Sequence, residues 1–347
     1  MNTNEYYIQR CLELARKGLG TTYPNPLVGC VVVHDNKIIG EGWHIKAGDE
    51  HAEVRAIRAV KNQKLLRTST LYVTLEPCSH YGKTPPCSDL IIEKKIPHIV
   101  IGTIDPFAKV SGLGMKKLLA AGRKVTLGVC EEECEKLNKR FFTFHRKKRP
   151  YVILKWAETQ HGFMAPIKQA KGAIFWITNT YSQQLVHKWR SEEQAVLVGT
   201  ATALMDNPQL NVRHWQGENP TRVVIDKSLQ LSHTLSLLDQ TQPTVVFHDD
   251  TLSRENFRNL TYIGLNFEKN FWLQVCNALY ELHLQSIIIE GGHHTLKSLI
   301  EEDMWDEARV FVGQNLIHQG LKAPKLDRKA TRSKTIKGDT LNYYYND

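Results

Sequence analysis

A histidine, a glutamate and two cysteines in the first hundred residues have the types and spacing of a zinc site. His51 and Glu53 stand in the segment His-Ala-Glu at the start of a predicted helix, and Cys78 and Cys87 each follow a proline. Imidazole and thiolate are preferred zinc ligands, and three protein ligands leave a fourth position for water, as in catalytic zinc sites. Zinc lowers the pKa of that water, and Glu53 is suited to carry its proton to a leaving amine. The pattern predicts hydrolysis at a zinc centre, with Glu53 as the catalytic group.

The same residues have two plainer interpretations. Cysteine is among the most buried residue types, so these side chains could be ordinary core residues, or they could form a structural zinc site with a further ligand. Zinc nucleobase deaminases carry His-x-Glu with Pro-Cys-x-x-Cys, whereas eight residues separate the two cysteines here, so the match is partial. Three ligands, a glutamate and two Pro-Cys pairs together favour a zinc deaminase.

The second half carries a glycine turn where a dinucleotide-binding fingerprint could stand. No Gly-x-Gly-x-x-Gly follows a predicted strand, so a Rossmann cofactor site is unsupported. The apolar strand at residues 286–289 runs instead into Glu290-Gly-Gly292, and a helical pattern continues to Ile300. A glycine turn at a helix N-terminus exposes backbone N–H groups to anions, so this turn is a candidate phosphate site.

Alternating strands and helices must position these groups. In the first half, apolar periodicity predicts helices at 5–17, 52–61, 88–95, 115–121 and 131–139 and strands at 28–33, 70–75, 98–104 and 124–129. In the second half it predicts strands at 151–157, 174–178, 195–198, 222–225, 244–248, 286–290 and 309–312 and helices at 180–190 and 273–284. The basic run 140–150 ends in proline, which places a boundary near residue 149 and predicts two α/β domains, 1–149 and 150–347.

Composition bounds the function. A chain of 347 residues with 41% hydrophobic and 23% charged residues is typical of a soluble protein of two domains. Residues 1–150 hold 25 basic against 15 acidic residues, which suggests an anionic partner: nucleic acid, a membrane surface or a phosphorylated small molecule. The absence of a signal-like N-terminus and of a membrane-length apolar run, together with an odd number of seven cysteines, predicts a cytoplasmic protein.

The motifs of the first half resemble the bifunctional deaminase and reductase family of riboflavin biosynthesis. They are TYPNPLVG at 22–29, GEGWH at 40–44, HAE at 51–53 and TLEPCSHYGKTPPC at 74–87. The resemblance implies a cytidine-deaminase-like domain that hydrolyses a ring amine of a diaminopyrimidinone carrying ribosylamine 5-phosphate. It also implies one zinc ion, held by His51, Cys78 and Cys87, and substrate contacts from Asn25, His44, His80, Lys83 and Asp105. Phe107 stands where the family commonly has asparagine.

The resemblance continues through the second half, in LKWA at 154–157, WIT at 176–178, VGTAT at 198–202, DNP at 206–208, VID at 224–226 and EGG at 290–292. It implies a dihydrofolate-reductase-like domain that uses NADPH to reduce the ring-opened ribose to ribitol. The implied substrate contacts are Arg190, Leu210, Arg213 and Glu290, with the two arginines suited to a phosphate. The implied cofactor contacts are Ala157, Trp176, Thr202, Asp206, Lys227, Gly292, His293, His294, Thr295, Leu296, Lys297 and Ser298.

Three positions of the second half depart from the family pattern. His161 stands where the family usually has an aspartate, and Ile174 and Lys227 occupy positions that are commonly serine. Lys227 would add charge near a cofactor phosphate, whereas Ile174 would remove a hydrogen bond.

The sequence therefore predicts a cytoplasmic, homo-oligomeric bifunctional enzyme that takes a small phosphorylated pyrimidine and binds neither nucleic acid nor a membrane. One alternative is a nucleic-acid base deaminase, motivated by the zinc motif and the basic first half. The other is a zinc-stabilised nucleic-acid-binding module without catalysis, motivated by the basic segment at 146–149. The loop around Lys83 and the reductase-like half count against the first, and the second gives Glu53 no role.

Overall fold

The computed structural model describes residues 2–79, 81, 85–107, 111–167 and 175–346. It divides the chain into two units, Met1–Lys148 and Arg149–Asp347. The sequence placed Arg149 in the first domain. In the structure its guanidinium forms a two-pronged ion pair with Asp306, at 2.5 and 2.7 Å, which ties this residue to the second unit.

In the described part of the first unit, five strands form one mixed sheet. They are β1 (Gly29–His34), β2 (Lys37–Trp43), β3 (Thr70–Leu75), β4 (His98–Thr103) and β5 (Lys124–Leu127). The order across the sheet is β2-β1-β3-β4-β5. β1 is antiparallel to both neighbours, whereas β3, β4 and β5 run parallel, so the carboxyl ends of β3 and β4 meet at one edge.

Helices cover both faces of this sheet. They are α1 (Thr3–Ala15), α2 (Ala52–Ala59), α3 (Cys87–Glu93), α4 (Leu113–Ala120), α5 (Glu131–Leu137) and α6 (Lys139–Lys147), with 3₁₀ turns at Arg16–Gly18 and Gln63–Thr68. Alternate residues of a strand face opposite sides. Val32 accordingly packs with α2 and α3, and Val31 packs with α1. A reciprocal capping box between Asn2 and Glu5 begins α1.

The predicted elements of the first unit are confirmed with two additions. Strand β2 was missed because Gly40 and Gly42 interrupt its pattern. A Cβ atom at these positions would lie 2.2 Å from the Ala56 carbonyl oxygen and 2.5 Å from that of Ala52, so only glycine lets α2 approach. The basic run before the boundary is helix α6, whose Phe141, Phe142 and Phe144 are buried.

The strands in the described part of the second unit are β6 (Tyr151–Thr159), β7 (Phe163–Pro166), β8 (Ala195–Gly199), β9 (Thr221–Ile225), β10 (Thr244–Asp249), β11 (Leu260–Leu265), β12 (Ser286–Gly291), β13 (Glu307–Gly313), β14 (Gly320–Lys322), β15 (Arg332–Ile336) and β16 (Asp339–Tyr345). The main sheet has the order β11-β10-β9-β8-β12-β6-β13-β16-β15. It is parallel up to β13, and β16 pairs antiparallel with β13 and β15. Strands β7 and β14 form a separate antiparallel pair.

The helices of the second unit are α7 (Thr180–Glu192), α8 (Thr200–Asp206), α9 (Phe271–Glu281) and α10 (His293–Glu301), with a 3₁₀ turn at Ser236–Leu238. Trp272 and Leu296 pack with Ile289 on one face of the sheet, and Trp189 packs with Ile288 on the other. The strand predicted at 174–178 is wrong, since residues 175–178 are not in a strand and Ile174 lies outside the described residues. The other predicted strands and helices of this half are confirmed.

Candidate active sites

The loops at one edge of the first sheet bring the predicted zinc ligands together. His51 is the residue before α2, Cys78 follows β3, and Cys87 is the first residue of α3. Nδ1 of His51 lies 3.5 Å from Sγ of Cys78 and 3.3 Å from Sγ of Cys87. The backbone N–H of Cys87 donates to Sγ of Cys78 at 3.3 Å, as suits a thiolate at a helix N-terminus.

These distances fit a zinc ion. Zinc bonds of about 2.3 Å to sulfur and about 2.0–2.1 Å to nitrogen in a tetrahedron give N···S edges of about 3.6 Å. Within the described residues, the cluster of potential ligand atoms has only these three members, all within 4.8 Å of one another. A three-ligand group leaves one tetrahedral position for a reacting molecule, which is the arrangement of catalytic zinc sites.

The charges of the cluster favour a cation. A hydrogen bond from Cys87 and the neighbouring His51 lower the pKa of the Cys78 thiol to about 4. The same thiolate raises the pKa of His51 to about 9. The hydrogen bond to Cys78, together with burial, raises the pKa of Cys87. A divalent cation that binds here displaces protons from the imidazole and the second thiol, which couples metal binding to pH.

Glu53 lies in the first turn of α2 and is buried. Burial raises the pKa of its carboxyl to about 7. It is two residues from the ligand His51, whose charge acts on its carboxyl, so Glu53 lies beside the ligand cluster. A carboxyl that titrates near neutral pH exchanges protons readily, which is the property required of a general acid and base.

Asn25 and His44 form one wall beside the cluster. Nδ1 of His44 lies 3.2 Å from the carbonyl oxygen of Glu50, which can only accept a hydrogen bond. Nδ1 therefore carries the proton, and Nε2 accepts from Nδ2 of Asn25 at 3.0 Å. Burial lowers the pKa of His44, and its ring meets that of His51 edge-on, with centroids 5.5 Å apart.

Asp105 lies just beyond β4 and accepts a hydrogen bond from the backbone N–H of Phe107 at 2.8 Å. The Phe107 ring packs on His145 of α6, with centroids 5.1 Å apart. Glu76, just beyond β3, accepts hydrogen bonds from Gly112 at 2.9 Å and Met115 at 3.0 Å and so caps α4. The predicted contacts His80 and Lys83 lie outside the described residues.

A cleft of about 490 Å³ opens in the second unit between β6, α7, β8, α8 and the segment that follows α8. Seven of the predicted substrate and cofactor contacts line it: Trp176, Arg190, Thr202, Asp206, Leu210, Arg213 and Glu290. Residues predicted from the sequence therefore line one cavity, although they span more than a hundred positions of the chain.

The floor of this cleft is a buried ion-pair group. Both oxygens of Glu290 accept from the guanidinium of Arg190, at 2.6 and 2.8 Å, and Nζ of Lys155 lies 3.8 Å from the same carboxylate. Burial raises the pKa of Glu290, but the charges of Arg190 and Lys155 outweigh it and bring the pKa to about 2. The planar fork of Arg190 is thus occupied by Glu290, which leaves Arg213 better placed to meet a phosphate.

Arg213, which also lines the cleft, is held by contacts of both its backbone and its side chain. Its backbone N–H donates to Nδ1 of His187 at 3.3 Å, and its side chain donates to Oδ1 of Asn211 at 2.9 Å. Burial, together with Arg190 and Arg213, lowers the pKa of His187 to about 4, so the ring is neutral and carries its proton on Nε2. His214 packs edge-on against His187, with centroids 4.8 Å apart.

The glycine turn lies beside the cleft. Gly292 has a φ of 82°, in the left-handed region, and immediately precedes α10. A Cβ on Gly199 would lie 2.6 Å from Oγ1 of Thr295, and one on Gly291 would lie 3.2 Å from Oγ1 of Thr202. Backbone and two threonine hydroxyls thus meet where the helix N–H groups are exposed, a combination suited to a phosphate.

Comparison with known proteins agrees with this division into two sites. Residues 1–103 match the family model of the cytidine and deoxycytidylate deaminase zinc-binding region, and residues 150–320 match that of the RibD C-terminal domain. The riboflavin biosynthesis protein RibD of Aquifex aeolicus (strain VF5) is 39% identical over 323 residues, covering 91% of this chain and 88% of that relative. The chain belongs to the RibD family.

Two solved structures of this family are similar over nearly the whole chain. A deaminase and reductase of Thermotoga maritima superposes with a TM-score of 0.88 at 37% identity and 98% coverage of both chains. Acinetobacter baumannii RibD gives a TM-score of 0.85 at 31% identity, covering 99% of this chain and 98% of that one. RibD proteins are bifunctional, so the chain is a zinc-dependent deaminase joined to an NADPH-dependent reductase of riboflavin biosynthesis. The nucleic-acid alternatives are not favoured.

Several predicted contacts of the reductase half are not among the residues that line the cleft. The Leu296 side chain is buried in the core, Nζ of Lys297 lies 3.5 Å from Glu301, and Oγ of Ser298 accepts from Trp272 at 2.9 Å. Nζ of Lys227 lies 3.1 Å from Oε1 of Glu268. Ala157 lies in β6 and is half-buried, and His294 is exposed. In a RibD-type site these positions can contribute their backbone more readily than their side chains.

The cleft also contains residues to which sequence reasoning gave no role. Lys155, Thr178, Gln183 and His187 line it. For Lys155 the signal was present, because a lysine inside an apolar strand is rarely left without a partner. For His187 no signal existed, since a histidine on an amphipathic helix is ordinary.

Among the described residues, none of the helices has the length and apolar character to cross a bilayer.

Proposed function

We propose that the first site deaminates a diaminohydroxyphosphoribosylaminopyrimidine and that the second reduces the product, the reactions named for the Thermotoga maritima relative. His51, Cys78 and Cys87 hold one zinc ion, and Glu53 is the catalytic residue. The observation that carries this proposal is the three-ligand cluster with the buried carboxyl of Glu53 two residues from the ligand His51. No core or structural role requires that combination.

In the deaminase reaction the elements of water replace a ring amino group, and ammonia leaves. A bound zinc ion supplies Lewis acidity and a water of lowered pKa. Glu53 accepts a proton from the attacking water and delivers it to the departing nitrogen, which balances the reaction without further groups. Asn25 and His44 orient the pyrimidine ring, and Asp105, His80 and Lys83 complete its contacts. Because Nε2 of His44 is already an acceptor, it fixes the Asn25 amide and leaves the opposite end of that amide for the substrate.

In the reductase reaction the sugar carbon of the ring-opened form gains a hydride, and the heteroatom doubly bonded to it gains a proton from water, which gives the ribityl group. NADPH supplies the hydride when it is bound. The residues that would hold it are Trp176, Thr202, Asp206 and the turn at Gly292–Thr295. The backbone N–H groups at the start of α10 would suit its phosphates. Arg213 and Leu210 hold the substrate, and the ion pair of Arg190 with Glu290 gives the cleft floor a fixed shape.

We place the domain boundary between residues 148 and 149, the protein in the cytoplasm and the active form in a homo-oligomer. All seven cysteines are free thiols, as a reducing compartment allows. Light scattering on the purified chain tests the oligomer, since a monomer across micromolar concentrations contradicts it.

The test of the proposed function uses the pyrimidine phosphate with and without NADPH. Mass spectrometry is expected to show a deaminated product without NADPH and a ribityl product with it. Purified protein is expected to carry about one zinc per chain. Unchanged substrate in both samples contradicts the deaminase, whereas deaminated product in both samples contradicts the reductase alone.

A further inference from the structure

Asn138 is a buried amide that belongs to neither active site. It lies between α5 and α6, where its N–H donates to the Cys134 carbonyl at 3.3 Å and its C=O accepts from Phe142 at 2.9 Å. Asparagine at such a junction commonly caps a helix with its side chain. Here the side chain makes no capping bond to α6, so its amide is used elsewhere.

The amide of Asn138 pairs with the backbone of Leu27 through both of its ends. Oδ1 accepts from the Leu27 N–H at 2.8 Å, and Nδ2 donates to the Leu27 carbonyl oxygen at 2.9 Å. All of these atoms are buried, and a buried backbone group left without a partner costs about 1–3 kcal/mol. An amide is the side chain that offers one donor and one acceptor in this geometry. Asn138 thus replaces a neighbouring strand for the segment that precedes β1.

This segment carries Asn25, whose amide contacts His44 at 3.0 Å. On its other side, the Val28 carbonyl oxygen accepts from the His44 N–H at 2.9 Å. Asn138 and His44 thus hold the segment by contacts far along the chain, in addition to the bonds from the Asn25 N–H to Thr22 and from the Gly29 N–H to Thr74. His44 in turn packs edge-on against the ligand His51, so the contacts from Asn138 to the metal cluster are continuous.

We propose that Asn138 is a positioning residue for deamination: through the Leu27 backbone it sets the placement of Asn25 against His44. The inference rests on the proposed function, in which Asn25 orients the pyrimidine. Without the Leu27 pairing, the segment keeps its bonds to His44, Thr22 and Thr74 but loses both backbone bonds of Leu27, which lies two residues from Asn25. Asn25 then samples more positions, which weakens substrate binding before it affects proton transfer by Glu53.

The first test is Asn138→Asp, which has nearly the same shape. Its carboxylate still accepts from the Leu27 N–H but has no donor for the carbonyl oxygen. We expect the KM for the pyrimidine phosphate to rise about tenfold, the effect of about 1.4 kcal/mol, with a smaller loss in kcat. Zinc content and the reductase activity are expected to equal those of the wild type. Asn138→Ser, which removes both bonds without adding charge, is measured by the same criteria if the aspartate variant does not fold.

The matched control is Asn2→Ala in the same unit. Asn2 caps α1 through its side chain, so this variant also removes an asparagine hydrogen bond and lowers stability, but away from the zinc cluster. We expect its KM for the pyrimidine phosphate to stay within about twofold of the wild-type value, which lies inside the error of such comparisons. An equal rise in KM in the two variants would show that Asn138 acts only through stability and would overturn the proposal.

A double-mutant cycle with Asn25→Ala tests the route. If Asn138 acts through Asn25, adding Asn138→Asp to Asn25→Ala changes KM by less than about twofold, whereas independent effects multiply. Full additivity overturns the proposed route. Wild-type protein that releases no ammonia from the pyrimidine overturns the proposed function together with this role, whereas wild-type KM in Asn138→Asp overturns the role of Asn138 alone.

Discussion

The two sites of this chain differ in how their charged groups are held. In the first unit, the ligands of the metal cluster come from the ends of neighbouring elements within 37 residues of sequence, and the glutamate beside them is buried without an ion pair among the described residues. In the second unit, the charged groups on the cleft floor come from three distant elements and neutralise one another. The first site therefore keeps its charged groups available for chemistry, whereas the second site uses Arg190 and Glu290 to maintain the shape of the cleft.

The largest effect is expected in the first site. Glu53→Ala removes the proton carrier and should lower the deaminase kcat by about 10²–10⁴-fold. The reductase rate, measured with the deaminated product and NADPH, should equal that of the wild type. Full deaminase activity in this variant would contradict the role of Glu53 as the proton carrier of the first site.

The second effect concerns the cleft floor. Glu290→Gln leaves the charges of Arg190 and Lys155 buried without their partner, and the expected loss of stability is about 3–5 kcal/mol. Urea unfolding followed by tryptophan fluorescence measures it, because six of the seven tryptophans lie in the second unit. Glu268→Gln, at an exposed carboxylate of the same unit, is the control and should lose less than about 1 kcal/mol. Equal losses in the two variants would contradict the assigned role of the ion pair.

The stability contributed by Glu290 should depend on pH. The pKa of Glu290 is about 2, below its usual value of 4.5, so its contribution to stability is complete above pH 4.5 and is lost as the pH falls toward 2. This lowering of the Glu290 pKa corresponds to about 3 kcal/mol in the free energy of unfolding. The stability gap between the wild type and Glu290→Gln should therefore narrow between pH 6 and pH 2.5 in urea titrations. A gap that widens on acidification would reverse the sign of the linkage.

The smallest effect is expected at Lys227. Because its ammonium group pairs with exposed Glu268, Lys227→Ala should change stability by less than about 1 kcal/mol and the KM for NADPH by less than about twofold. Steady-state reductase kinetics at varied NADPH measure it, with Thr202→Val as the comparison within the cleft. A large rise in KM for Lys227→Ala would restore the cofactor contact that the sequence predicted.

The zinc ligands and many strands could be predicted from the sequence, whereas the ion pair of Arg190 could not. The ligands His51, Cys78 and Cys87 were predicted from donor chemistry and spacing, and the structure brings them together. Strands with uninterrupted apolar runs were predicted in both units. Strand β2 was missed where glycines interrupt the pattern, and β7, β11, β14, β15 and β16 of the second unit were missed as well. Arg190 was expected to bind a phosphate, and its guanidinium instead holds Glu290, one hundred residues away. No local pattern encodes that pairing.

The family, the α/β organisation of both halves and the three candidate zinc ligands could be predicted from residue types and their spacing along the chain. Which polar groups are paired depends on the fold. The amide of Asn138 pairs with Leu27 across 111 positions, and Glu290 is neutralised by two cations from other elements. The physical reason is that a buried charge or amide must find a partner in space, and that partner is set by the fold and not by the neighbouring sequence.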